Sequence, residues 1–206
     1  MIDRIAEVTG RDVSRETFER LTEFVKLLVT ENAKQNLVGA STVAGIWERH
    51  ILDSAQLLRL APGEGRWLDI GSGAGIPGVV LAILGAAPMT LVEPRRLRAE
   101  FLSLCVERLA LNRTELLCAK VDKFSGKADI ITARAVASVD RIFAMAAHVA
   151  TPRTRWILPK GRSGAKELAE AQTTWQGRFR IEPSVTAGDA VIVVGSGVSR
   201  RQKGRT

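Results

Sequence analysis

Apolar positions recur at two different spacings along the chain. Over residues 14–31 and 43–60 they return every three or four positions, which predicts two amphipathic helices. Ser14 is a candidate N-cap for the first helix. Pro62 and Gly63 break the chain after the second helix.

Beyond this break, short apolar runs predict strands that alternate with helices. The strands are predicted at 66–70, 89–93, 115–119, 128–132, 155–158, 179–185 and 191–194. The helices are predicted at 77–84, 95–110, 138–149 and 164–176. In the helix over 95–110 we expect four side chains to face the core: Leu97, Phe101, Leu104 and Leu109. Such alternation is typical of a parallel sheet that is covered on both faces.

The last two predicted strands lie too close together for a crossover helix, so we expect them to form an antiparallel hairpin. The sequence therefore predicts an α/β protein with a mostly parallel seven-stranded sheet that ends in this hairpin. We expect three parts. Residues 1–62 form an N-terminal helical extension packed on the core, residues 63–198 form the sheet domain, and residues 199–206 form a disordered basic tail.

The chain is basic, with 30 Lys and Arg against 22 Asp and Glu, a net charge of +8. This balance favours a polyanionic partner such as a nucleic acid, although the same charge also serves solubility. Basic residues cluster after the second strand and in the tail: Arg95, Arg96, Arg98, Arg200, Arg201, Lys203 and Arg205. A role for the tail in nucleic-acid binding stays open.

No apolar run approaches the ~20 residues that span a bilayer, and the first ten residues lack the apolar core of a signal peptide. We therefore expect a soluble cytoplasmic protein without a membrane contact, and a monomer. Cys105 and Cys118 lie in apolar stretches and are predicted to be core thiols. With only His50 and His148, no metal site is expected.

A glycine-rich turn follows the first predicted strand: Gly71-Ser72-Gly73-Ala74-Gly75-Ile76-Pro77-Gly78. Glycine lets the backbone approach a ligand where a Cβ would collide, so Gly71 and Gly73 are candidate cofactor contacts. The spacing of Gly73, Gly75 and Gly78 also fits dinucleotide binding, with the acidic residue Glu93 ~20 positions further on. The turn alone leaves S-adenosylmethionine and NAD open as ligands.

Three observations favour S-adenosylmethionine. Asp69 stands two residues before Gly71, where it can reach the ammonium group of the cofactor through water. The turn lies behind a helical extension rather than at the start of the chain. Val121-Asp122 follows the third strand, in position to read the edge of an adenine, and the Glu93 carboxylate can accept both ribose hydroxyls. The alternative for Asp122 is a cap or turn role.

Further motifs resemble those of the bacterial RsmG family, also called GidB. In chain order they are Asn36-Leu37, Arg49-His50-Ile51-Leu52-Asp53-Ser54, the glycine-rich turn, Arg134-Ala135-Val136-Ala137 and Lys160-Gly161. The resemblance covers most of the chain and is more specific than a glycine loop. It implies a Rossmann-like class I methyltransferase, and S-adenosylmethionine-dependent methylation of N7 of one guanine in 16S rRNA. The implied partner is that RNA or the small ribosomal subunit.

The resemblance also implies cofactor contacts at Gly71, Ile76, Val121-Asp122 and Arg134, and a ribose ligand at Glu93. The chain departs from the family before the last strand. Gly188-Asp189-Ala190 stands where members often carry Arg-His, so the substrate contact of that position is not carried over.

Guanine N7 keeps a free lone pair even in a paired base, so no proton has to be removed before methyl transfer. Catalysis can then depend on alignment of the reacting atoms. We therefore assign no catalytic residue. Arg134 is the nearest candidate, because its planar fork suits a carboxylate, guanine O6 or a phosphate. Lys160 is a candidate for an RNA phosphate or a solvated turn lysine, and His50 for a packing residue or a substrate contact.

Taken by themselves, the residues leave three other functions open. These are a small-molecule methyltransferase, an NAD-dependent oxidoreductase and a nonenzymatic basic RNA-binding protein. Binding of S-adenosylmethionine rather than NAD distinguishes a methyltransferase from an oxidoreductase. Methyl transfer to RNA then distinguishes the rRNA methyltransferase that the resemblance implies from a small-molecule methyltransferase.

Overall fold

The structure is a computed structural model that describes residues 1–61 and 63–202. Its N-terminal part is helical. It contains α1 (Ile2–Thr9), α2 (Arg15–Gln35), α3 (Ala40–Val43), a π-helical turn (Trp47–Leu52), α4 (Asp53–Ala55) and a 3₁₀ turn (Gln56–Leu60). The remaining helices are α5 (Gly78–Ile83), α6 (Arg96–Arg108), α7 (Val139–Ala146) and α8 (Gly164–Ala171).

The first predicted helix is confirmed as α2. The Ser14 hydroxyl accepts the Thr17 N–H at 3.1 Å, which satisfies one of the free donors at the start of the helix. The predicted helix over 43–60 is instead broken into π, α and 3₁₀ turns. Hydrophobic spacing did not distinguish these geometries, because Ile51 and Leu58 remain buried in all of them.

The sheet has seven strands in the described part of the chain. They are β1 (Trp67–Ile70), β2 (Met89–Val92), β3 (Thr114–Leu117), β4 (Ile130–Thr132), β5 (Arg155–Lys160), β6 (Trp175–Pro183) and β7 (Val191–Arg200). Their order across the sheet is β3-β2-β1-β4-β5-β7-β6. The strands β1 to β5 pair in parallel, and β7 pairs antiparallel with both β5 and β6. The predicted fold class, including its closing hairpin, is confirmed.

Helices cover both faces of the sheet. The N-terminal extension, α5 and α6 pack on one face, and α7 and α8 pack on the other. Successive strand residues point to opposite faces, so Ile157 of β5 meets the first layer while Trp156 and Leu158 meet the second. The strand order reverses beside β1, and the carboxyl ends of β1 and β4 therefore flank the crevice where this class of sheet binds ligands.

Two predictions about the core were wrong in part. In α6, Leu97 and Leu104 are 64% and 41% exposed, whereas Phe101 and Leu109 are buried as expected. Phe101 belongs to two neighbouring apolar stripes on the helix surface. The spacing of the apolar residues therefore did not decide which of the two stripes faces the sheet. Cys118 is exposed because it follows β3, the edge strand of the sheet, while Cys105 is buried.

The strand β7 continues to Arg200, and the Arg201 N–H donates to the Thr174 carbonyl at 2.9 Å. The start of the predicted disordered tail is therefore ordered strand. Lys203 and Arg205 lie outside the described residues. None of the helices within residues 1–61 and 63–202 is long and apolar enough to cross a membrane.

Candidate functional site

The glycine-rich turn leaves β1 in a conformation that other residues adopt with strain. Gly71 and Gly73 have φ of 67° and 52°, in the left-handed region. The Gly71 N–H donates to the Val92 carbonyl of β2 at 2.8 Å, which holds the turn at the carboxyl edge of the sheet. A Cβ on Gly71 would lie 2.7 Å from Cγ2 of Val136. The turn thus depends on glycine for both conformation and space.

Asp69, in β1, stabilises the glycine-rich turn that follows this strand. It is fully buried, and its Oδ2 accepts the Gly78 N–H at 3.1 Å at the start of α5. Burial raises the pKa of Asp69 to about 7. Its Oδ1 has no hydrogen-bond partner among the described residues. The position of Asp69 in the sequence predicts that it lies near a cofactor ammonium group, but its side chain lines neither of the two cavities beside the turn.

A cavity of about 400 Å³ lies beside the turn. Four of the predicted cofactor residues line it: Gly71, Glu93, Val121 and Asp122. The Glu93 carboxylate is 3% exposed and accepts the N–H groups of Gly73 and Arg95, each at 2.9 Å. Each of its oxygens keeps a further lone pair. Glu93 therefore fixes the turn and can still accept a hydroxyl group.

Three other predicted cofactor residues stand outside the lining of this smaller cavity. Gly73 does not line the cavity but donates its backbone N–H to the Glu93 carboxylate, which does. Ile76 is 7% exposed and belongs to the core beneath the turn. Arg134 lines a neighbouring cavity instead.

The neighbouring, larger cavity has a volume of about 780 Å³. Ala135 and Val136 line both cavities and so separate them. Ala135 has φ of 55°, a strained value for a residue with a Cβ. The larger cavity is otherwise enclosed by parts of the N-terminal extension, by the end of β5 and by residues 184–192 around the β6–β7 turn.

Arg134 is held in place by the N-terminal extension. Its Nη2 donates to the Arg49 carbonyl at 3.1 Å and to His50 Nδ1 at 3.0 Å, and its Nη1 lies 3.3 Å from Asp53 Oδ2. These three contacts use the planar fork of the guanidinium group. The motif around His50 and the motif around Arg134, separate in sequence, therefore form one unit.

His50 is a packing residue, the first of its two predicted roles. Because Nδ1 accepts from Arg134, the ring proton sits on Nε2, which donates to Thr42 Oγ1 at 2.9 Å. The Thr42 hydroxyl donates onward to the Gly39 carbonyl at 2.7 Å. Burial, followed by the charge of Arg134, lowers the pKa of His50 to about 4. The ring is therefore neutral at pH 7.

Gln56 is a residue that sequence analysis missed. It is 4% exposed, and its Nε2 donates to Asp53 Oδ1 at 2.9 Å and to Ser184 Oγ at 3.1 Å. Asp53 Oδ1 also accepts the Thr186 hydroxyl at 2.8 Å. Gln56 and Asp53 thus tie the extension to the β6–β7 turn across the wall of the larger cavity. Only its position three residues after Asp53 hinted at this role.

Lys160 is not a solvated turn lysine, because its side chain is 8% exposed. Its Nζ lies 2.9 Å from Glu167 Oε2 and donates to the Ala137 carbonyl, which anchors the segment after Val136 to α8. Lys160 also lines the larger cavity, and its phosphate role stays a prediction. Asp189, from the stretch that departs from the family, lines the larger cavity and pairs with Arg162 at 3.4 Å.

Solved structures with this architecture are methyltransferases and related proteins. A mutant of MtNAS in complex with S-adenosylmethionine has a TM-score of 0.58 at 18% identity, covering 86% of this chain and 74% of its own. A TehB-like SAM-dependent methyltransferase from Corynebacterium glutamicum has a TM-score of 0.57 at 13% identity, covering 81% and 97%. The fold is that of Rossmann-like methyltransferases.

The sequence comparisons are more specific. The family described as "rRNA small subunit methyltransferase G", GidB, matches residues 17–192. "Ribosomal RNA small subunit methyltransferase G" of Sphingopyxis alaskensis is 46% identical, covering 93% of this chain and 84% of its own. The protein of that name from Rhizorhabdus wittichii is 44% identical, covering 97% and 94%. This chain belongs to that family, as the motifs indicated, and the oxidoreductase alternative is not favoured.

Proposed function

We propose that this chain transfers the methyl group of S-adenosylmethionine to N7 of a guanine in 16S rRNA. The observation that carries the proposal is the pair of cavities that meet at Ala135 and Val136. One is bounded by a glycine turn and a buried carboxylate, and the other opens beside it. The relatives named above are rRNA methyltransferases of the small subunit, which supports RNA as the acceptor.

The smaller cavity suits S-adenosylmethionine. Gly71 leaves open a space that a Cβ would fill, and Glu93 has spare lone pairs for the ribose hydroxyls. We assign recognition of the adenine edge to Asp122 and the backbone of Val121, which line the same cavity. When bound, the cofactor supplies an electrophilic methyl group. Gly73 and Ile76 contribute by supporting the turn from outside the cavity.

The larger cavity is the proposed acceptor site. N7 needs no general base, so the task of the protein is to hold the guanine beside the cofactor and to exclude competing orientations. Arg134 lines this cavity with its side chain 24% exposed and its fork fixed by Asp53, Arg49 and His50. We assign it the orientation of the guanine, through O6, rather than a proton transfer.

The test has two stages. Calorimetric titration with S-adenosylmethionine and with NAD establishes the cofactor, and binding of NAD alone overturns the proposal. Methyl transfer is then measured on small subunits and on free 16S rRNA that lack the modification, with the product mapped. Transfer to small molecules only overturns the RNA acceptor. The same material decides between RNA and subunit as the partner. Sedimentation of the purified protein tests our expectation of a monomer, and cell fractionation tests our expectation of a cytoplasmic location.

A further inference from the structure

Three arginines lie close together on one face of the sheet, and none of them lines either of the two cavities. Arg155 of β5 and Arg178 and Arg180 of β6 line a depression of about 250 Å³, together with Ser196 of β7. We refer to these three arginines as the arginine cluster. None of the sequence motifs, and neither of the cavities that meet at Val136, includes any of them.

The strand register explains why the side chains meet. Arg155 pairs with Ser196, and Ser196 pairs with Arg178 on its other side. Residues directly opposite one another point to the same face of a sheet, and Arg180, two positions after Arg178, shares that face. Adjacent strands lie ~4.8 Å apart, so Arg155 and Arg178 flank the Ser196 hydroxyl from both sides.

The charge of the cluster is not balanced within the described residues. Arg180 pairs with Glu182 at 2.6 Å, whereas Arg155 and Arg178 have no carboxylate within ion-pair distance in residues 1–61 and 63–202. Arg15 and Arg20 of α2, by contrast, each pair with a glutamate one turn away.

The like charges of the cluster repel one another. β7 separates β5 from β6, so the backbones that carry Arg155 and the two β6 arginines lie two strand spacings apart, ~10 Å. Burial is the larger cause of the lowered pKa of Arg155, and the positive charge of Arg180, the second cause, reflects that repulsion. Arg155 is also fixed, because its Nη1 donates to the Leu60 carbonyl at 2.9 Å. An anion bound between these guanidinium groups relieves their repulsion, and Arg155 already has a fixed position to receive it.

We propose that the arginine cluster binds a backbone phosphate of the substrate RNA, outside the methyl-transfer site. Planar guanidinium forks and a hydroxyl between them match the oxygens of a phosphate. The inference rests on RNA being the acceptor, as proposed above, and adds a second contact point to it.

The outer strand leads from the acceptor site to the cluster. Ser184, which lines the larger cavity, lies four residues after Arg180 and six after Arg178, so ~13 to ~20 Å of strand separate it from the cluster. An RNA whose guanine enters the larger cavity therefore has its flanking backbone within reach of the cluster. Phosphate contacts of this kind fix the register of a nucleic acid without reading its sequence.

Equilibrium binding of the unmodified small subunit over a series of salt concentrations tests the proposal. Arg178→Gln is expected to weaken binding several-fold and to reduce the slope of log K against log salt by roughly one. Arg141→Gln is the matched control. Arg141 is an exposed arginine of α7 without an ion pair among the described residues, and α7 covers the other face of the sheet. Affinity for S-adenosylmethionine should stay unchanged in both variants.

Glu182→Gln supplies a test of opposite sign. Removing the carboxylate that neutralises Arg180 is expected to strengthen binding and to steepen the salt dependence. Equal slopes for wild type, Arg178→Gln and Glu182→Gln overturn the cluster as a phosphate site while leaving the proposed function intact. Failure of the wild-type chain to bind or methylate the RNA at all overturns both proposals together.

Discussion

The side-chain oxygen of Gln56 accepts the backbone N–H of Val185 at 2.9 Å, across 129 positions of the sequence. Its amide nitrogen donates to Asp53 of the extension and to Ser184 of the β6–β7 turn. This one side chain therefore joins the N-terminal extension to the turn between the last two strands. Both form the wall of the larger cavity, so the extension is part of the proposed acceptor site.

Gln56→Leu should damage substrate binding more than cofactor binding. A leucine of similar size leaves the Val185 N–H and Asp53 Oδ1 with fewer partners, which costs about 1–3 kcal/mol of the free energy of unfolding. We expect a raised KM for the RNA and an unchanged Kd for S-adenosylmethionine. Steady-state kinetics and calorimetry measure the two quantities.

The control for this variant is Gln172→Leu, at an exposed glutamine after α8 that lines neither cavity. It should leave the KM for RNA and the stability near those of the wild type. If Gln56→Leu shows an unchanged KM, the β6–β7 turn does not need this clamp to bind RNA.

Gly71→Val should abolish cofactor binding. The new side chain meets Val136 at the edge of the smaller cavity and adopts a φ of 67° that L-residues resist. Gly85→Val separates the two causes, because Gly85 has φ of 94° and open space around its Cβ position. Calorimetry should show loss of binding for Gly71→Val alone, while both variants melt at lower temperature. Normal binding by a folded Gly71→Val would mean that the turn does not hold the cofactor.

The ionisation of His50 should respond to Arg134. Burial is the larger cause of its lowered pKa and the positive charge of Arg134 is the second, so Arg134→Met should raise the pKa from about 4 toward, but not to, the ordinary value. Nitrogen-15 NMR of the imidazole measures both pKa and tautomer. The wild type should carry its proton on Nε2, and the Nδ1–H tautomer would contradict the contact with Arg134.

Asp69→Asn should change the pH dependence of stability. The folded pKa of Asp69 is raised to about 7, above its unfolded value of 3.8, so the wild type loses stability as pH rises from about 4 to 7. His50 acts in the opposite direction as pH rises between about 4 and 6.5, because its folded pKa is lowered. The His50 contribution is common to both proteins, so the difference in free energy of unfolding between variant and wild type reports the titration of Asp69.

Urea unfolding of both proteins at pH 5, 6, 7 and 8 measures that difference. The free energy of unfolding of Asp69→Asn, relative to wild type, should rise by on the order of 3 kcal/mol over this range. A constant difference at all four pH values would show that Asp69 has an ordinary pKa despite its burial.

Local patterns predicted the sheet, its closing hairpin and the smaller cavity. Strand alternation, the glycine turn and Glu93 are short-range signals whose consequences follow from the general geometry of parallel sheets. The same reasoning misplaced Leu97 and Leu104, because the rotation of α6 depends on which neighbours it meets. It also missed the broken helix over residues 43–60, whose three geometries share one apolar face.

The larger cavity was not predictable from such signals. Its wall depends on Gln56 meeting Val185, and on Arg134 meeting Asp53, which are long-range contacts between polar side chains. Lys160 shows the same limitation, since its partner Glu167 belongs to the next helix and turns an exposed-looking cation into a buried one. Family motifs marked several of these residues but not how they pair.

The residues that line the two cavities come from stretches of the chain that differ in length. The smaller cavity is lined by residues within 70–145, whereas the lining of the larger one spans residues 49–192. A ribosome making this protein therefore completes every residue of the first cavity while β5, β6 and β7 are still to be synthesised. The wall of the larger cavity is complete only when β7 inserts between β5 and β6, so an unfinished chain lacks the complete site that we propose for its substrate.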